Sequence, residues 1–215
     1  MLSNQKRLSL YGFLFVVFLS WALWQIAQPL TLQKIVPLLI VGYALLRVIF
    51  ELTINRANIP TMATSRRGRK IMAEVLQKAA QESASTPYII VDLGSGRGEL
   101  SRKIALSLPV AKVIGIEISP WPTAQAKFIQ HLFGPENISY QCLDFWTYDC
   151  SSIDAVVFYL SARIAQKVGE KLYKELKTGS IVISHTFPLG SEWQEQEVID
   201  FRTLFKETIF VYKKA

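Results

Sequence analysis

Hydrophobic and polar positions divide this chain sharply into two parts. No charged residue occurs from Leu8 to Gln33, and Leu8–Ala27 is almost wholly apolar, with Trp21 and Trp24 towards its far end. A helix that crosses a bilayer needs roughly 20 such residues, and indoles favour the interface. Pro29 marks a turn. A second apolar run starts at Ile35 and continues through Arg47 and Glu51 to Ile54. Arg47 and Glu51 stand four apart, the spacing at which opposite charges pair on a helix. The pattern predicts a transmembrane helical hairpin: one crossing over Leu8–Ala27, then a second crossing or re-entrant helix over Ile35–Ile54.

Beyond Arg56 the pattern becomes that of a globular domain. Asn58–Ser65 is a linker containing Pro60. Ile71, Val75, Leu76 and Ala79 recur at helical spacing within residues 66–82. Short apolar runs then alternate with helical stretches. Strands are predicted at Tyr88–Val91, Lys112–Glu117, Ile138–Cys142, Ile153–Phe158 and Ser180–Ser184. Helices are predicted at Glu99–Leu108, Pro122–Phe133 and Ala162–Leu176. Residues from Glu197 to Lys213 form two β-rich segments linked near Lys206-Glu207, with no helix between them. Such alternation implies βαβ units. The predicted fold is therefore α/β: a Rossmann-like, doubly wound, mostly parallel sheet with an antiparallel C-terminal edge. The domain division is an anchor over 1–56 and a globular domain over 57–215.

Charge sets the orientation. The chain has 215 residues and a net charge of +7. Lys6 and Arg7 precede the first apolar run, and Arg56, Arg66, Arg67, Arg69 and Lys70 follow the second. The positive-inside rule puts both ends of the hairpin on the cytoplasmic side of a membrane. The run Arg66–Lys70, lying beside a membrane segment, fits a topology signal or a contact with anionic lipid better than nucleic acid. Cys142 and Cys150 have no metal-ligand spacing and are expected to be free thiols; His131 and His185 are too far apart to suggest a metal site.

The strongest chemical signal is Asp92-Leu93-Gly94-Ser95-Gly96-Arg97-Gly98, between a strand and a helix. Gly94, Gly96 and Gly98 let the backbone turn tightly against a ligand. The spacing is GxGxG, not the dinucleotide GxGxxG. Asp92 would repel a pyrophosphate but suits a cofactor bearing ammonium and sulfonium charges. Glu117, about 20 residues beyond the loop, stands where a carboxylate accepts ribose hydroxyls. Asp144 follows the third strand, placed to accept from an adenine amino group, with Phe145 and Trp146 available to cover the ring. A cap is the alternative use of Asp144.

These residues resemble the motifs of class I, seven-stranded S-adenosylmethionine-dependent methyltransferases. Glu117-Ile118-Ser119-Pro120-Trp121, Leu143-Asp144-Phe145-Trp146, and Phe187-Pro188 followed by Trp193 resemble, more narrowly, the small membrane-anchored lysine methyltransferases of mitochondria, which modify the adenine nucleotide translocase and the ATP synthase c-subunit. Asn58-Ile59-Pro60-Thr61 also fits that family. The resemblance implies an S-adenosyl-L-methionine cofactor held by Asp92, Gly94, Ser95, Gly96, Gly98, Glu117, Ile118, Asp144 and Phe145. It further implies that Pro60 and Thr61 close over the cofactor. Arg97 departs from the pattern, since a small or acidic residue is expected there.

An enzyme that methylates lysine on a membrane protein is the expected function, from a bacterial inner membrane or a mitochondrial one. Tyr159, after the fourth strand, is the expected catalytic residue, lining the acceptor side. Trp146 and His185 are further candidates. Two other functions fit the same cofactor residues: methylation of a small or lipid-like molecule such as a quinone, and cofactor binding without catalysis.

Overall fold

The computed structural model describes residues 4–26, 32–53, 63–203 and 206–215. The chain divides into two compact units, Met1–Ile59 and Pro60–Ala215. In the first unit, α1 runs over Asn4–Ile26 and α2 over Leu32–Thr53. Large apolar side chains on both stand open, among them Phe13, Val16 and Trp24 on α1 and Leu39, Ile40 and Tyr43 on α2. Among the described residues, however, no helix is long and apolar enough to cross a membrane. Both expected crossings extend into residues whose side chains lie outside the described ones; two helices are present, and the transmembrane hairpin is unsupported.

In the second unit, α3 (Arg66–Glu82) begins where Ser65 Oγ accepts from Gly68 N at 3.1 Å, an N-cap bond. The chain continues as β1 (Ile89–Leu93), α4 (Glu99–Ser107), β2 (Lys112–Glu117), α5 (Pro120–Phe133) and β3 (Ile138–Cys142). It closes with β4 (Ala155–Phe158), α6 (Ala162–Glu175), β5 (Ile181–His185), β6 (Glu195–Arg202) and β7 (Lys206–Lys213). The seven strands form one sheet in the order β3-β2-β1-β4-β5-β7-β6. The first five are parallel, and β7 lies antiparallel between β5 and β6. The α/β, Rossmann-like reading with an antiparallel C-terminal edge is the architecture observed.

Several boundaries move by a few residues. The helix expected from Pro122 starts at Pro120, because Pro at the first helical position needs no N–H and already has helical φ. The turn between the last two strands falls before Lys206, not at Lys206-Glu207, and both of those residues pair with β6.

The sheet is covered unequally. On one face Met72 and Leu76 of α3, Leu100 and Ile104 of α4 and Ala126 of α5 pack on Ile90, Val113, Val157 and Ile183. On the other, α6 alone among these helices contributes, through Ala165, Val168 and Leu172. The rest of that face is closed by irregular chain: Cys150, Ile153, Leu189 and Trp193. Trp193 Nε1 donates to Gly169 O at 3.1 Å, and Tyr212 O–H accepts from Leu189 N at 3.0 Å, so these loops are bonded down as well as packed.

Candidate active site

The parallel strands end together, and their register lines up the candidate residues. Leu93 pairs with Ile116 on one side and Phe158 on the other, and Phe158 pairs with Ser184. The next row therefore runs Glu117, Gly94, Tyr159, His185 across β2, β1, β4 and β5. Strands lie about 4.8 Å apart, so Gly94 and His185 are separated by roughly 10 Å. Residues in one row of a parallel sheet face the same side, and here it is the side covered by α3 and α4.

The Gly-rich loop is held over this row by Gly94 N and Ser95 N, which both donate to Ile116 O at 2.9 Å. Gly94, Gly96 and Gly98 all have positive φ. Their surroundings differ. A Cβ on Gly96 would meet nothing within 4 Å, so the loop is open there. A Cβ on Gly98 would overlap the Tyr140 ring, whose O–H donates to Gly98 O at 3.1 Å. Gly98 thus serves the packing of the loop. Gly115, which sequence reasoning passed over, has the same constraint: a Cβ there would strike Tyr140 and Ser95 Oγ.

Glu117 is fixed by the backbone. Its Oε2 accepts from Gly96 N at 3.0 Å and its Oε1 from Ser119 N at 2.8 Å. Leu143 N donates to Glu117 O, which sets Asp144 just beyond the neighbouring strand end. Asp144 caps the short 3-10 turn Phe145–Thr147, accepting from Trp146 N at 3.1 Å, so the cap reading holds for one of its oxygens. Phe145 and Trp146 lie with ring centroids 4.9 Å apart, and Ile118 beside them is exposed.

Asp92 is buried and accepts from Ser101 Oγ of α4. Burial pushes its carboxyl up to about 7; the Ser101 bond opposes that and Glu117 adds to it. A cationic group arriving beside Asp92 meets a carboxylate held ready to ionise. Ser95 Oγ is buried with no hydrogen-bond partner among the described residues. An orphaned hydroxyl in an open Gly loop is what a site shaped around a polar ligand leaves behind.

Arg97 turns away from the loop, exposed and 3.8 Å from Glu99. Glu99 also takes Arg69 at 2.6 Å, and Arg69 donates to Thr64 O. Arg67 donates to Arg202 O. Two arginines of the basic run thus tie α3 to its own domain. Thr61 and Pro60 lie outside the described residues. Trp146 follows β3, three places from β4 in the sheet order.

Among the described residues, no group of His, Cys, Asp and Glu is arranged to hold a metal ion. Both cysteines are free thiols. A cleft of about 240 Å³ opens at the opposite end of the sheet, by Ser85, Asp154 and Lys177. There Asp154 is fully used, accepting from Ser85 Oγ and Ile89 N and pairing with Lys177 at 2.7 Å.

Residues 92–197 match the family model of the ANTKMT methyltransferase domain. The chain is an S-adenosylmethionine-dependent methyltransferase, and over that stretch, just under half of its length, it resembles that family. A protein-lysine N-methyltransferase of Saccharolobus islandicus is 27% identical over 157 residues, 72% of this chain and 93% of that one. The mouse adenine nucleotide translocase lysine N-methyltransferase is 30% identical over 114 residues, 53% of this chain and 49% of that protein, so the chain matches about half of its length. An RNA methyltransferase from Salinibacter ruber, solved with S-adenosyl-L-homocysteine, superimposes with a TM-score of 0.57 at 23% identity, covering 71% of this chain and 93% of that one. That last likeness is one of fold.

S-adenosylmethionine fits the methyltransferase loop on this structure's own terms. Asp92 and Glu117 would supply carboxylates for its ammonium and ribose ends, a Cβ on Gly96 would meet nothing within 4 Å, and Ser95 Oγ is buried without a hydrogen-bond partner among the described residues.

Proposed function

We propose that this methyltransferase transfers a methyl group to the side-chain amine of lysine on a membrane-associated protein. The observation that carries the reading is the composition of the acceptor end of the ridge. Tyr159 and His185 stand with ring centroids 4.2 Å apart, and Phe201 lies nearly parallel to His185 at 6.1 Å. Aromatic walls next to the Gly loop suit an alkyl chain that ends in a nitrogen. Two relatives named as lysine methyltransferases support the same acceptor.

S-adenosylmethionine, when bound, supplies a methyl carbon activated by a sulfonium. The residues of this chain then have three tasks. Asp92, Gly94, Ser95, Gly96, Glu117, Ile118, Asp144 and Phe145 hold the cofactor. Gly98 sets the turn on which they depend. Tyr159 orients the acceptor nitrogen, and the surrounding apolar wall excludes water. An amine removed from water loses its preference for the charged form, which is needed because only the neutral nitrogen attacks.

The exposed apolar side chains of α1 and α2 support attachment of the chain to a membrane, with the enzyme domain on the cytoplasmic face of a bacterial inner membrane or the matrix face of a mitochondrial one. Tethering would raise the local concentration of a membrane-bound target. The same exposed surface favours a second reading, in which the acceptor is a small lipid-like molecule reached through the bilayer.

The test is transfer of labelled methyl from S-adenosylmethionine to membranes of the source organism by the purified full chain, with Glu117→Ala beside it. Label on lysine in a discrete protein band, absent with the variant, supports the proposal. Label only in the organic extract favours the lipid-like acceptor. Cofactor binding with no transfer to either leaves a non-catalytic binding module.

A further inference from the structure

A lysine side chain in water carries a proton that must leave before the nitrogen can attack, so the acceptor site needs somewhere for that proton to go. Resting on the lysine reading above, we propose that His185 is the general base that takes it, with Glu207 as the group that positions and stabilises the imidazole.

His185 is the last residue of β5, one strand from Tyr159 and two from Gly94 in the cross-sheet row. It is 1% exposed. The rings of Tyr159 and Phe201 lie against it, with centroids 4.2 and 6.1 Å away. Its Nε2 lies 2.9 Å from Glu207 Oε2, a close approach of partners although not aligned as a hydrogen bond. Its Nδ1 has no partner among the described residues. A buried imidazole with one nitrogen on a carboxylate and the other without a hydrogen-bond partner is the arrangement in which a histidine accepts a proton and the carboxylate steadies the cation formed.

The surroundings keep both groups in the required charge state. Burial lowers the affinity of His185 for a proton, although Glu207 opposes this, so the ring is neutral near pH 7. Burial alone would raise Glu207, but bonds from Thr203 and Ser65, with His185, hold it below the usual glutamate range. Ser65 Oγ reaches Glu207 Oε2 at 2.8 Å from the start of α3, and Glu207 is the charged group facing the imidazole.

The backbone is committed here too. Thr186, directly after His185, has φ 73°, a left-handed conformation rare for a β-branched residue. Strain of this kind persists where the surrounding structure fixes a residue for use. Thr186 N donates to Thr208 O at 2.7 Å, which stops the strand just past the histidine.

In the step, the N–H bond of the acceptor ammonium breaks and its electron pair stays on nitrogen. The proton bonds to the lone pair of His185 Nδ1, giving an imidazolium beside the Glu207 carboxylate. After the methyl is transferred, His185 returns the proton to solvent.

Two measurements on the full chain test this. The first follows transfer to the acceptor protein between pH 6.5 and 9.5 for the wild type, His185→Gln and Glu207→Gln. A general base contributes about 10²–10⁴-fold, so His185→Gln should lose roughly 100-fold at pH 7. The loss should shrink towards parity as the acceptor deprotonates by itself, with the KM for cofactor unchanged. Glu207→Gln should show the same trend with a smaller loss. An equal loss at every pH, or none, overturns the proposal.

The second needs no acceptor protein and no folded variant. In protein labelled with ¹⁵N-histidine and bound to S-adenosylhomocysteine, His185 and the exposed His131 give separate signals. The proton should reside on Nε2 of His185, and n-butylammonium, as a lysine side-chain probe, should shift Nδ1 of His185 and leave His131 unmoved. A proton found on Nδ1, or no response to the probe, overturns it. Should no protein be methylated while Nδ1 still responds, the lysine-protein reading fails and the amine-accepting histidine stands.

Discussion

At the scale of single residues, Asp92 carries the clearest pH signature. Its buried carboxyl is pushed up to about 7, against an unfolded value near 3.9. Its contribution to the stability of the cofactor-free protein is therefore fully present below about pH 4 and lost as pH rises through 7. Cofactor binding runs the opposite way, because the ionised form is the one that pairs with a cation. Affinity for S-adenosylmethionine, read by calorimetry, should rise up to about tenfold per pH unit from 5.5 to 7 and level off above. Asp92→Asn should bind more weakly and flatten that dependence. Glu117→Ala removes the acceptor on which Gly96 N and Ser119 N converge, and bonds to a charged group contribute about 1.5–3 kcal/mol each. Its affinity for the cofactor should fall by roughly 100-fold or more in the same titration. The acidic residues were legible in the sequence because each lies at or within two residues of the carboxyl end of a strand, and strand ends are fixed by local pattern. Glu207 was not, since it meets His185 only through the antiparallel placement of β7 beside β5.

At the scale of elements, the strand–loop–helix unit depends on one aromatic residue from a strand two places away. Tyr140 of β3 occupies the space that Cβ atoms on Gly98 and Gly115 would fill. Gly98→Ala imposes both a left-handed conformation and an overlap. The two together should cost about 2–4 kcal/mol, measured by denaturant unfolding. Tyr140→Leu in the same chain should recover part of that loss. Trp193→Ala tests the opposite face. It removes a buried ring and its bond to Gly169 O, and should destabilise by about 3–5 kcal/mol while leaving cofactor affinity nearly unchanged. Helical and strand periods placed nearly every element to within a few residues. The use of Gly115 escaped notice because no period marks a glycine whose neighbour is set by sheet order.

At the scale of the whole molecule, the α/β class and the antiparallel edge followed from the alternation of short apolar runs with amphipathic helices, ending in two strands with no helix between them. The order β3-β2-β1-β4-β5-β7-β6 did not follow, because strand partners are chosen by packing across many residues rather than by local pattern. The first 59 residues carry the remaining prediction. If α1 and α2 attach the chain to a membrane, the full-length protein should sediment with membranes after an alkaline carbonate wash and be released by detergent. Recovery in the carbonate supernatant would rule out integral attachment. The cross-sheet row has a bearing on how such an enzyme changes over evolutionary time. On the proposed reading, Glu117 and Gly94 serve the donor from β2 and β1, whereas Tyr159 and His185 serve the acceptor from β4 and β5 with Glu207 of β7 behind the imidazole, and hydrogen-bonded strands keep the two halves at a fixed separation. Substrate preference is thereby free to drift by substitution on one half while donor chemistry on the other is inherited unchanged.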